Sequence, residues 1–199
     1  MVRLADSFTA AQVVVLLDPG VLRYVAQALS GSWHPGEESD DVRRRQLVAA
    51  ARLRLYGFDA DRSGWRLVTT AIAHDKARAR GDADWSAGFI PALEGYEDAP
   101  PVAEVSSLAT LLRRDEDLDG EVANTLALAL LCDAVGVVVT RDPLAYRHRR
   151  PNDLPPRLEI ATPEDLVDRL ELRGGEQAWA DLPWGSIPGG DAWWVPPPT

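Results

Sequence analysis

Cysteine is almost absent. Cys132 stands alone among 199 residues, so the chain has no internal disulfide and no cysteine-based metal site. It lies in an apolar helical run and reads as a buried structural thiol. No run of 18 or more apolar residues occurs, which argues against a transmembrane helix. The first residues show no basic segment followed by an apolar one and a small-residue cleavage site. The expectation is a cytoplasmic protein without a membrane. No Walker-type loop and no G-x-G-x-x-G occurs, which leaves a nucleotide-cofactor enzyme little support. His34, His74 and His148 are scattered without metal-ligand spacing and read as surface residues. Lysine occurs once, at position 76.

Acid and arginine are plentiful. The formal net charge is −10, which argues against broad non-specific binding to nucleic acid by the whole surface but not against a locally basic path. Arg43-Arg44-Arg45 and Arg147-His148-Arg149-Arg150 are the basic clusters. Arginine suits phosphate because its planar fork donates two parallel hydrogen bonds. The plainer reading of each cluster is a solvated helix face or loop. The apolar fraction of 46% is enough for a real core.

Strand and helix patterns alternate. Strands are predicted at Ala11–Leu17, Trp65–Thr70, Val137–Val139 and Leu158–Ile160. Helices are predicted at Val21–Ser30, Val42–Tyr56, Ala71–Arg80, Val102–Arg114 and Val122–Asp133. A last one runs from Thr162-Pro163 to about Leu172. Gly57 is a plausible helix stop, Ala134-Val135-Gly136 a tight turn, and 81–101 irregular with Trp85, Phe89 and Tyr96 as anchors. This alternation implies an α/β fold with a mostly parallel sheet covered on both faces. The α/β unit covers 1–173. A Trp- and Pro-rich tail, 174–199, cannot build its own core and is expected to drape over the domain or a partner subunit.

Two apolar runs end in a carboxylate: Val13-Val14-Val15-Leu16-Leu17 in Asp18, and Val137-Val138-Val139-Thr140-Arg141 in Asp142. In open parallel sheets the ligand crevice lies outside the carboxyl ends of the strands. Carboxylates converging there suit a hard divalent cation.

Residues 13–172 resemble the PIN-domain nucleases, which include the toxin ribonucleases of bacterial toxin–antitoxin pairs. The most specific part runs from Leu126-Ala127-Leu128-Ala129 through Gly136 to Thr140-Arg141-Asp142, joined by Leu16-Leu17-Asp18 and Ile160-Ala161-Thr162-Pro163-Glu164-Asp165-Leu166. The resemblance implies a three-layer α/β/α sandwich and metal-dependent hydrolysis of RNA phosphodiesters with Mg²⁺ or Mn²⁺. It assigns the acids to Asp18, Asp75, Glu121 (with Asp119 as competitor) and Asp142, and to Thr140 the orientation of a neighbouring carboxylate or the metal's water. Arg141, Arg147, Arg149 and Arg150 would bind the RNA backbone. A protein antitoxin and a homodimer are implied partners.

The chain also departs from the family pattern. Pro19-Gly20 follows the first acid where a small hydroxyl residue and Asn are usual. Asn124 stands where many members carry the third Asp, and the segment before the second strand is longer. These departures carry a competing reading, a PIN-like binding or scaffolding module with a degraded site. A third reading, an Asp-nucleophile phosphotransferase, would want an Asp two residues after the first and meets Gly20 instead.

Overall fold

The computed structural model describes residues 13–29, 40–58, 65–79, 90–147 and 154–174. The predicted anchors Trp85 and Phe89, the cluster residues His148, Arg149 and Arg150, His34, and the tail from 175 onward lie outside them.

Four short strands form one sheet: β1 (Val13–Leu17), β2 (Trp65–Thr69), β3 (Val135–Val139) and β4 (Glu159–Ala161). Every neighbour pair is parallel, and the order is β2-β1-β3-β4. β1 is therefore an interior strand, consistent with its unbroken apolar run. Seven α-helices are described: α1 (Pro19–Leu29), α2 (Asp41–Phe58), α3 (Ala71–Ala79), α4 (Val102–Glu116), α5 (Gly120–Leu131), α6 (Pro143–Arg147) and α7 (Pro163–Gly174).

Alternation along β1 splits the core in two. Val15 and Leu17 face one layer, with Val21 and Leu22 of α1, Leu47 and Leu53 of α2, Ala73 of α3 and Leu166 of α7. Val14 and Leu16 face the other, with Val105 of α4, Leu126 and Leu128 of α5, and Tyr146 of α6. The chain is thus an α/β protein with helices on both faces of a parallel sheet. Tyr96 packs against the second layer, and Cys132 is buried there as a free thiol whose pKa burial pushes up. No described helix is long and apolar enough to cross a membrane.

Several boundaries differ from expectation. α1 begins at Pro19 rather than Val21, because Asp18 supplies the cap and proline is pre-set for the first helical position. α2 runs through Gly57 to Phe58, so that glycine is no stop. α4 extends to Glu116 and ends on Asp117, which takes left-handed φ of 55°. α5 starts at Gly120, behind the cap from Asp119. α7 runs on to Gly174, past Leu172.

The expected turn at Ala134-Val135-Gly136 is instead the start of β3. Val14 pairs with Val135 and Val15 with Val137, which leaves Gly136 as the extra residue of a bulge. A Cβ at Gly136 would come within 2.7 Å of Val13 Cγ1. α6 was not expected at all. β4 is displaced by one residue, to Glu159–Ala161. His74, expected at the surface, is half-buried, with Nε2 2.6 Å from the Ile90 carbonyl oxygen.

The C-terminus of α5 is closed by a side chain distant in sequence. Arg157 donates to the carbonyls of Val135 (3.0 Å) and Leu130 (3.0 Å), and at longer range to Cys132 (3.4 Å) and Ala129 (3.5 Å). A cation at a helix C-terminus satisfies the orphan carbonyls and opposes the negative end of the dipole. Arg157→Met keeps the stem and removes the donors. Urea denaturation is expected to show a loss of about 2 kcal/mol, as for charge-assisted bonds to backbone. An unchanged midpoint would show that water replaces the guanidinium at no cost.

Candidate functional site

Asp18 is the first residue after β1 and sits at the carboxyl edge of the sheet. Its backbone N–H donates to the Val139 carbonyl at 3.0 Å, which extends the β1–β3 pairing by one step. Its own carbonyl accepts from Leu22 N–H at 3.0 Å, the first hydrogen bond of α1. The side chain turns inward and is only 8% exposed. Oδ1 accepts from Val21 N–H at 2.8 Å, so Asp18 is also the N-cap of α1. An added Cβ at Gly20 would lie 3.2 Å from that oxygen, so the glycine leaves the carboxylate room.

Thr140, the residue after β3, is buried beside it. Its N–H donates to the Ala161 carbonyl at 3.0 Å, and its hydroxyl to Asp18. Thr140 Oγ1 in turn accepts from Asp142 N–H at 3.0 Å. One hydroxyl therefore links the ends of β1 and β3. Burial nevertheless dominates and pushes the Asp18 carboxyl up; hydrogen bonds from Thr140, Val21 and Gly20 and the charge of Arg141 offset only part of it.

Tyr146 of α6 comes to the same place. It is 5% exposed, and its phenol lies beside Asp18 and the Thr125 hydroxyl of α5. Burial, and then the Asp18 charge, push that phenol well above its usual value. Neither Tyr146 Oη nor Thr125 Oγ1 has a hydrogen-bond partner of good geometry among the described residues. The Tyr146 phenol thus stands beside both the buried Asp18 carboxylate and the buried Thr125 hydroxyl.

The other acids are arranged less tightly. Asp142 is exposed and caps α6, accepting from Ala145 N–H at 3.2 Å. Asp119 is exposed and caps α5, accepting from Glu121 N–H at 2.8 Å, and its charge bears on the Tyr146 phenol. Glu121 is ion-paired with Lys76 of α3. Asp75 is not brought to Asp18: α3 turns Ala73 and Ala77 to the core and leaves Asp75 exposed. Among the described residues, no three His, Cys, Asp or Glu side chains are grouped closely enough to hold a metal ion.

Arg141 is engaged inside the fold. Nη1 donates to Glu164 at 2.5 and 2.7 Å, and Nη2 donates to the Gln46 carbonyl. The guanidinium also stacks over Tyr24, 4.6 Å from the ring centroid. It ties α1, α2 and α7 to the end of β3 rather than lying open to a phosphate. Arg147 closes α6.

Sequence reasoning missed Tyr146 and Lys76. The available signals were an aromatic residue four positions after Asp142 and the single lysine of the chain, next to Asp75.

The groups about the Asp18 carboxylate include two oxygens suited to Mg²⁺ or Mn²⁺, the Thr140 hydroxyl and the Tyr146 phenol, beside the Val21 and Gly20 N–H groups and the Arg141 charge. Comparison of the chain with protein-family models, curated proteins and solved structures finds no match in any of the three.

A raised carboxyl pKa has a defined sign in stability. The folded state holds the Asp18 proton to higher pH than the unfolded chain does, so ionising Asp18 destabilises the fold. The loss sets in as pH rises from the ordinary value of 3.8 through the raised one, and persists above it. In EDTA at pH 7, Asp18→Asn is therefore expected to unfold at higher urea than wild type. The advantage should vanish below pH 3.8. A mutant less stable at pH 7 would mean that the capping carboxylate outweighs its burial.

Proposed function

We propose that this protein hydrolyses RNA phosphodiester bonds with a divalent cation, at a centre built around Asp18. The observation that carries the reading is the buried carboxylate itself. Asp18 is a buried carboxylate whose charge burial disfavours, at the carboxyl edge of a parallel sheet, where ligands bind in such folds. The PIN-type resemblance of Thr140-Arg141-Asp142 supports the same reaction.

Asp18, with Asp142 and Asp119 across the strand ends, would hold Mg²⁺ or Mn²⁺; Glu121 is the nearby alternative. The chemistry such a cation supplies is charge stabilisation at the phosphoryl oxygens and easier deprotonation of water. The chain does the rest. Thr140 holds the Asp18 carboxylate in one orientation through its hydroxyl. Tyr146 and the helices around it keep bulk water from the inner side of that carboxylate. Asp119 and Asp142 stand exposed, where substrate arrives. The protein antitoxin and the second copy of the chain implied by the resemblance belong to the same proposal.

A second reading has its own observation. Glu121 already has a cation in Lys76, and Asn124 is neutral where a third acid would stand. On that reading the fold serves as a binding or scaffolding module.

Purified protein incubated with a pool of structured and single-stranded RNAs separates the two. The nuclease reading expects cleavage with Mg²⁺ or Mn²⁺, none with EDTA, and a loss of at least about 100-fold in Asp18→Asn and Asp142→Asn. Cleavage that survives both substitutions, or none under any metal, would reject it.

A further inference from the structure

The only lysine of the chain lies in a cleft that opens one residue beyond Asp18. Ala73 and Lys76 of α3 form one wall, and Pro19, Leu22 and Arg23 of α1 form the other. Arg23 is exposed at the rim. The Lys76 ammonium crosses to α5 and pairs with Glu121, two residues from the Asp119 cap. The side chains of the pair are 40% and 38% exposed. An ion pair as wet as this adds little to stability, so holding α3 to α5 is a weak account of it.

The local charge points elsewhere. Glu121 and Asp119 make the α5 side of this edge acidic, in a chain of net charge −10. A polyanion can approach such an edge only where a cation meets it. Arg141 is committed to Glu164 and Gln46, which leaves Lys76 and Arg23 facing the cleft. An ammonium on a flexible stem exchanges one oxyanion for another at low cost, because its three donors need no fixed plane. Glu121 holds that ammonium in the cleft until another anion takes it.

We infer that Lys76 is a substrate-binding residue, whose ammonium passes from Glu121 to a phosphate of an RNA strand that runs over the shallow cleft between α1 and α3. This rests on the RNA reading above and gives that substrate its path. Lys76 meets the strand's charge beside the centre, and Arg23 meets it at the outer end. Glu121 becomes a competitor of the substrate.

Anisotropy of a short 5′-labelled single-stranded RNA, titrated with the full chain in EDTA over a series of salt concentrations, tests this without any hydrolysis. Lys76→Met should weaken binding about tenfold, the worth of one charge-assisted contact. It should also lower the slope of log affinity against log salt by about 0.7. Lys76→Arg should bind nearly as wild type, and Glu121→Gln should bind more tightly. Should Lys76→Met fail to fold, Lys76→Gln and Arg23→Gln carry the same comparison. Equal affinity and slope in wild type and Lys76→Met would overturn the inference, as would a wild type that does not bind the RNA. Failure of the catalytic reading looks different: RNA bound with the predicted lysine dependence, yet uncut with any metal.

Discussion

Much of the architecture turns on one carboxylate that water would rather keep. Asp18 ends β1, continues its pairing with β3, begins α1 and caps it, all within a single residue. Placing the group there costs desolvation, and four neighbours reduce the cost without removing it. The flanking choices follow. Pro19 starts the helix at once, Gly20 leaves space against Oδ1, and Thr140 brings a hydroxyl from the adjoining strand. A neutral Asn would cap α1 without a buried charge. The retained acid is the feature that a functional account has to explain.

A second constraint is that acids near one another need cations. Helix termini meet it for Asp119 and Asp142, each spent on a cap whose N–H groups carry the positive end of a dipole. Lys76 meets it for Glu121. Asp18 also caps a helix and has the Arg141 charge nearby, yet burial still disfavours its charge. On the proposed reading, a divalent cation would add the positive charge that these groups do not supply.

The sheet and its two core faces were legible in the sequence because local periodicity and burial agree there. Val13–Leu17 and Val137–Val139 are apolar throughout, as strands covered on both faces must be, while the start of β3 at Val135 was hidden by Gly136, which reads as a turn. What escaped was set by single hydrogen bonds or distant contacts. α1 starts at Pro19, two residues before its apolar stripe, because Asp18 caps it. Gly57 reads as a stop, yet α2 continues past it. α6 is too short for periodicity and follows from the Asp142 cap. In the site, the strand-end acids were visible because their position depends on the strand alone. Tyr146 and Lys76 were invisible because their contacts arise where α6 and α3 meet residues far away in sequence. Arg141 looked free for phosphate because Glu164 lies 23 positions on and Gln46 lies 95 positions back.

The central claim is that Asp18 is buried for the sake of a cation. Thermal unfolding of wild type and Asp18→Asn, each in EDTA and in rising Mn²⁺, tests it most directly, since a ligand that binds only the folded state raises its melting temperature. The account predicts a Mn²⁺-dependent rise in wild type and none in Asp18→Asn. A rise of equal size in both proteins, or no rise in wild type, would contradict it.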